Sequence, residues 1–313
     1  MTDRYRSILV GINLEDVSTT GEERPTLDSG AAFARGLDLA KAHGSKLALL
    51  HVFDVDPLAR SYIEKVGTGQ GTYLGEMQAA LAKLRELAKS EGVTVTAEHA
   101  YGKPWEVISA QVAAKGHDLV VVGARRPAGA LSVYALRHVL LGNTASRLVH
   151  KCPCPVWVIR PQSVRPYACV LVATDLSEIG QRALVHGVRM AEFQQAELHV
   201  VHAIDSWFLG RMPRLGPAGS TVESELARKL AEARDTLAKQ IATATAGVRL
   251  PAAPRVHVEM RPPEDLILRV ARAEGADLVV LGTVGRGGVS GFLLGNTAER
   301  LLPELQCALL VVK

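Results

Sequence analysis

Charge of one sign is scarce in this sequence: 36 basic residues against 32 acidic ones leave a net of +4, too little to mark a nucleic-acid-binding surface. Long apolar runs are missing as well. None approaches the roughly 18 residues that span a bilayer, and Met1 to Arg6 lead straight into Ile8 to Val10 without the apolar stretch of a signal peptide. A soluble cytoplasmic protein, with neither nucleic acid nor membrane as partner, is the expectation. Aromatic residues are few, at 4%, and there are only four cysteines. Cys152, Cys154, Cys169 and Cys307 lie beside or inside apolar segments without C-x-x-C spacing. One residue between Cys152 and Cys154, with no clustered histidines nearby, fits zinc poorly; these read as buried thiols, and no metal site is expected.

Catalytic signatures are lacking too. No G-x-x-x-x-G-K-[ST] phosphate loop, G-x-S-x-G elbow or H-E-x-x-H pair occurs. Gly67-Thr-Gly-Gln-Gly71 follows Ile63-Glu-Lys-Val66, a poor strand, and so is only a loose dinucleotide fingerprint. Ten histidines are scattered; His51 and His202 hold matching strand positions and read as structural, while His99 and His257 alternate along candidate strands. No base and nucleophile are brought together, so no catalytic residue is assigned.

What the sequence does contain is an internal repeat. Ile8-Leu-Val-Gly-Ile-Asn13 matches Val170-Leu-Val-Ala-Thr-Asp175, and Leu49-Leu-His-Val-Phe-Asp54 matches Val200-Val-His-Ala-Ile-Asp205. Gly116 to Gly123 matches Gly275 to Gly282, Leu141 to Leu148 matches Leu294 to Leu301, and Cys154 to Ile159 matches Cys307 to Val312. Five matches in one order identify a duplicated domain. Residues 1–163 form the first copy and 166–313 the second, with a proline-bearing joint at Arg160 to Pro166; two units of about 150 residues each suit a chain of 313. Within each copy short Val/Leu/Ile-rich strands alternate with helices, among them Ala79 to Lys89 and Glu223 to Ile241, with Asn143 and Asn296 as candidate helix caps. Strands apolar along their whole length are buried on both faces. The expected fold class is α/β, two tandem doubly wound five-stranded parallel sheets with helices on both sides.

The strand-like run Asp277 to Leu281 is followed by six glycines between Gly282 and Asn296. Glycine weakens regular structure, so such a cluster answers to tight turns or to backbone close against a ligand. It stands at a strand's carboxyl end, where doubly wound sheets gather ligands, and leads into a helix whose amide donors suit phosphate oxygens.

The spacing Gly282-x-x-Gly285, nine residues, then Gly295-Asn296-Thr297, with strands ending in Thr174-Asp175 and His202-Ala203-Ile204-Asp205, resembles the universal stress protein family. The duplication and Phe292-Leu-Leu-Gly-Asn-Thr-Ala-Glu-Arg300 are similar to its tandem E-type branch. The resemblance implies an adenine-nucleotide alpha-hydrolase-like fold and an ATP site in the second copy. There Asp175 would meet the nucleoside, Ala203 would read adenine through its backbone, Gly282, Gly285 and Gly295 would shape the phosphate loop, and Asn296 and Thr297 would donate to phosphates. Arg286 could add a cation, and Mg²⁺ could accompany ATP. The first copy departs from this motif: Asn13 replaces the acid, Arg126 stands at the second glycine, and fifteen residues precede Gly142 where the second copy has nine. Its Arg125-Arg126 and Arg137-His138 form a basic loop.

The resemblance also implies halves packed about a pseudo-two-fold axis, an internal pseudo-dimer, with a homodimer or a protein partner as further options. Two functions stay open. One is an ATP-binding stress-response protein whose nucleotide is regulatory or structural, at most a slow ATPase; the other is a nucleotide-independent scaffold or small-ligand module using its inter-domain cleft.

Overall fold

The computed structural model describes residues 4–14, 28–67, 72–124, 142–160, 166–204, 222–283 and 295–313. Backbone proximity divides the chain into two units, Met1–Arg165 and Pro166–Lys313. In the first, β1 (Ser7–Ile12), α1 (Asp28–His43), β2 (Lys46–Phe53), α2 (Pro57–Val66), α3 (Tyr73–Ser90), β3 (Val95–Tyr101), α4 (Pro104–Lys115), β4 (Leu119–Gly123), α5 (Gly142–Lys151) and β5 (Val156–Ile159) follow in order. Their strands pair in parallel in the spatial order β3-β2-β1-β4-β5. In the second, β6 (Cys169–Ala173), α6 (Glu178–Gln194), β7 (Glu197–Ile204), α7 (Val222–Thr245), β8 (Arg255–Met260), α8 (Pro263–Ala273), β9 (Leu278–Gly282), α9 (Asn296–Leu301) and β10 (Ala308–Val312) give the matching parallel order β8-β7-β6-β9-β10.

Each unit is therefore a doubly wound five-stranded parallel sheet. The strand order sends the chain outward from the first strand, then back past it to the other side, and parallel crossovers of the usual right hand put helices on both faces. The inner strands are apolar throughout because both faces are covered; every residue of β5, β6 and β10 is buried. The edge strands β3 and β8 depart from the continuous apolar pattern, being largely exposed or half-buried, and carry Glu98, His99, Arg255 and His257. Asn143 and Asn296 do not cap their helices as the sequence suggests. Both lie inside the first helical turn, and the cap before Asn296 is Gly295, which makes no side-chain cap bond. One helix escaped the sequence reading altogether: α2, started by Asp56, whose Oδ1 accepts from Leu58 N at 2.8 Å and Ala59 N at 2.9 Å ahead of Pro57. An aspartate before a proline at the first helical position is a start signal.

The duplication extends to individual contacts. Asp118 accepts from Arg6 N and Ser7 N, at 2.7 and 3.1 Å, and Asp277 accepts from Ala168 N and Cys169 N at the same two distances, pinning the start of the central strand in each unit. Arg147 lies over the Trp105 ring at 5.5 Å, and its counterpart Arg300 donates to Glu264 at 2.5 Å, so one arginine position is held by a ring in one unit and by a carboxylate in the other. Cys152, Cys154 and Cys169 are buried and Cys307 half-buried. Burial pushes the Cys169 thiol up to about 12, reinforced by Asp277, Glu197 and Glu274, so it stays protonated and unreactive at neutral pH.

One glycine per unit lets a helix rest on its central strand. A Cβ on Gly36 of α1 would stand 2.5 Å from Val10 Cγ2, and one on Gly187 of α6 would stand 2.1 Å from Val172 Cγ2. Alanine ordinarily gains about 1 kcal/mol over glycine inside a helix; overpacking at this contact outweighs that gain. Gly187→Ala should therefore lower the free energy of unfolding by about 1–3 kcal/mol, and adding Val172→Ala should recover part of the loss, as read by urea titration of the single and double variants.

Candidate functional site

The winding direction of each sheet reverses beside its first strand, between β1 and β4 in one unit and between β6 and β9 in the other, and crevices form at the carboxyl ends of such strands. In the first unit a cavity of about 400 Å³ opens there. The ends of β1, β2 and β4 supply Asn13, Val52 and Gly123, α5 supplies Thr144, and Ser29 and Tyr73 reach in from α1 and α3. The internal repeat equates Asn13, Val52, Gly123 and Thr144 with Asp175, Ala203, Gly282 and Thr297. Four of the positions assigned from the sequence in the second unit, Asp175, Ala203, Gly282 and Thr297, thus have counterparts that line a formed cavity in the first.

In the second unit β6 lies between β7 and β9, so Asp175, Ala203 and Gly282 stand at three neighbouring strand ends. A buried histidine ties two of those ends together: His202 Nδ1 donates to Thr174 O at 2.8 Å, as His51 Nδ1 does to Ile12 O at 3.1 Å in the first unit. Both histidines are structural, as their positions suggest. Beyond β9, Thr283 is buried and held to β10 through Thr283 N and Val312 O at 2.9 Å. Its own carbonyl accepts from Gly295 N at 2.5 Å, which brings the start of α9 back to the end of the strand. Asn296 is exposed and Thr297 half-buried there, in a helix of only six residues. Gly285 and Arg286 lie outside the described residues, as do Arg125, Arg126, Arg137, His138 and the insertion 18–25.

Two site residues have protein partners that their assigned roles left out. A Cβ on Gly282 would stand 2.4 Å from Ile179 Cγ2, so the close approach requiring glycine there is to the first turn of α6. Asp175 Oδ1 accepts from Ser177 N at 3.1 Å and from Ser177 Oγ at 2.5 Å. Ser177 in turn caps α6 by accepting from Gly180 N at 3.1 Å. A Cβ on Gly180 would meet Asp175 Oδ1 at 2.6 Å, whereas in the first unit Ser29 holds this position and its Oγ accepts from Asn13 N at 2.9 Å.

Sequence reasoning also passed over Leu176. Its φ of 65° is left-handed, an outlier for a bulky residue. Leu176 N donates to Thr174 Oγ1 at 3.1 Å, and its carbonyl accepts from Gln240 Nε2 of α7 at 3.2 Å. The turn that carries Asp175 is thus held from both sides. Ser177 preceding an acidic first turn was a legible cap signal; nothing in the sequence marks Leu176.

Fold and cavity define a class: tandem doubly wound α/β proteins, with a ligand-type cavity at the switch point of the first unit. The universal stress protein family profile matches residues 4–160 and 166–313, and the chain belongs to that family. It is similar to Universal stress protein E of Escherichia coli K12, 28% identical over 302 residues, covering 92% of this chain and 91% of that protein. Universal stress protein E of Salmonella typhi is likewise 28% identical, over 312 residues, with the same shares covered, which makes the chain a tandem protein of the E type. Among solved structures, a functionally unknown protein from Pseudomonas aeruginosa PAO1 superposes with a TM-score of 0.68 at 25% identity, covering 99% of this chain and 92% of that one. A universal stress protein from Archaeoglobus fulgidus, at 18% identity and a TM-score of 0.66 over 98% of both chains, shares the fold. No helix among the described residues is long and apolar enough to cross a membrane.

The strain at Leu176 has a measurable cost. A left-handed L-residue costs about 1–2 kcal/mol, while glycine adds about 0.5–1 kcal/mol of unfolded-state entropy. Leu176→Gly should therefore raise the free energy of unfolding by up to about 1 kcal/mol, as measured by denaturant titration, while freeing the turn that orients Asp175.

Proposed function

We propose that the chain is a cytoplasmic stress-response protein that binds an adenine nucleotide, ATP, in its second unit as a regulatory or structural ligand. The observation that supports this best is the matching strand-end geometry of the two units. In the first unit it borders a cavity of about 400 Å³, and the second unit replaces Asn13 with Asp175 and Val52 with Ala203 at the matching positions.

An anionic carboxylate accepts from ribose hydroxyls where a neutral amide is a weaker acceptor, and Asp175 is already oriented by Ser177. Ala203 at the end of β7 offers backbone polar groups behind a small side chain, suited to an adenine edge. Gly295, Asn296 and Thr297, drawn back to β9 by the Thr283 carbonyl, would meet the phosphates. Gly285 and Arg286 belong to the same proposal, with Mg²⁺ as counter-ion. Gly282 contributes by letting Ile179 close the floor beneath the strand ends. None of these groups is placed as a general base, so the nucleotide acts through occupancy, with hydrolysis at most slow. Association into a homodimer, or with a protein partner that senses occupancy, is part of the same reading.

Gly282 is a poor place to test the site, because any side chain there strikes Ile179. Gly295 is better: its φ of −68° and ψ of 151° suit any residue, so a valine adds bulk without backbone strain. Native mass spectrometry with Mg-ATP should find one nucleotide per chain. Gly295→Val and Asp175→Ala should each weaken binding roughly tenfold or more, about 1.4 kcal/mol, with the melting temperature of the Gly295 variant unchanged. Affinity unaltered in both variants would reject the site; two nucleotides per chain would reject its restriction to the second unit.

A further inference from the structure

At the opposite end of the second sheet, toward the amino ends of β7 and β8, three side chains from three elements converge. His199 of β7 is buried, and its Nδ1 lies 3.1 Å from Nε2 of His257 on β8. Glu274, the residue closing α8, brings Oε2 to 3.8 Å from the same His199 Nδ1. All three ligating atoms fall within 4.8 Å of one another. We propose that His199, His257 and Glu274 form a binding site for a divalent transition-metal ion of the zinc class, independent of the nucleotide crevice.

The spacing suits such an ion. Metal–ligand bonds of about 2.0–2.2 Å in tetrahedral geometry set ligand atoms about 3.3–3.6 Å apart, and the observed 3.1 and 3.8 Å bracket that range. Two imidazoles and one carboxylate are a donor set for zinc and its neighbours rather than for calcium or magnesium, which prefer oxygen. Three protein ligands leave one position open to water or a small anion. Glu274 sits at the carboxyl end of α8, where the helix dipole favours a cation.

The surroundings supply the support a metal-bound histidine takes. With Nδ1 facing the ion, the other ring nitrogen of His199, Nε2, lies 3.5 Å from Glu197 Oε2, the carboxylate–histidine–metal arrangement that fixes tautomer and ring orientation. Arg255 bridges Glu197 at 3.3 Å and Glu274 at 3.6 Å. Its guanidinium offsets one of the two carboxylates and leaves the pair net negative. Arg255 is 56% exposed, so its contacts are weak and yield readily when an ion draws Glu274 inward.

The first unit provides an internal control. Strand register and the repeat equate Glu197, His199, His257 and Glu274 with Lys46, Ala48, Glu98 and Lys115. There Lys115 Nζ donates to both oxygens of Glu98, at 2.8 and 2.7 Å, and no such ligand set occurs among the described residues. The same place in the fold is closed by an ion pair in one unit and carries three metal ligands in the other. An unneeded site could have kept the ion pair.

The test uses the full chain and the metal alone. Titration with Co²⁺, read by its visible d–d absorption, and with Zn²⁺ in competition with a chromophoric chelator should show one ion per chain. His257→Gln and Glu274→Gln should each weaken binding roughly tenfold or more, and Glu197→Gln, which reaches the site only through His199 and Arg255, by about tenfold. The double variant His257→Glu/Glu274→Lys installs the first unit's ion pair, which this fold accommodates, and should abolish binding with an unchanged circular dichroism spectrum. Binding undiminished in that variant, or wild-type affinity weaker than about 1 mM, would overturn the assignment.

Discussion

Each half of the chain depends on helix backbone lying directly on the middle of the central strand. Gly36 on Val10 and Gly187 on Val172 allow an approach that a single methyl group would block. That contact sets the depth of the helix against the sheet, and with it the place where the strand-to-helix turn emerges. In the second unit the turn carries Asp175, Leu176 and Ser177, and the first turn of the helix that follows brings Ile179 under Gly282. The crevice at the strand ends is thus a consequence of packing several residues below it. Its floor is protein against protein, which leaves the rim to vary.

The two copies vary in a consistent way. Backbone-determined features are kept: the aspartates at the starts of the central strands, the histidines joining strand ends, the glycines under the first helix. Side-chain chemistry at the rims and edges is exchanged. Trp105 becomes Glu264 opposite the same arginine, Asn13 becomes Asp175, and the ion pair of Glu98 with Lys115 gives way to His257 and Glu274. A duplicated fold frees one copy to explore contacts that the other still supplies for stability.

Much of this was legible in the sequence, and the limits are physical. The inner strands announced themselves because burial on both faces demands unbroken apolar runs, and the repeat gave their equivalences. The strand-end positions of Asp175, Ala203 and Gly282 were legible because they adjoin those runs. The edge strands were harder, since exposure lets Glu98 and His257 interrupt the pattern. α2 was missed because the helix buries no side chain and so has no core-facing periodicity, although Asp56-Pro57 marked its start. The reason for Gly282 could not be read, because Ile179 meets it from across the fold. His199, His257 and Glu274 are spread over 76 positions and look unrelated until register places them together; the sequence-based expectation of no metal site rested on neighbours along the chain.

The hydrogen bond from Gly295 to Thr283 closes an excursion of eleven residues, 284 to 294, and the matching excursion of the first unit, 125 to 141, has seventeen. Closing a chain segment costs entropy that grows only with the logarithm of its length, so six extra residues add about 0.4 kcal/mol. The scaffold therefore scarcely registers how much chain passes between strand and helix. Insertions there are nearly neutral for folding. A lineage built on this fold can lengthen the chain between these two elements long before any core residue has to change.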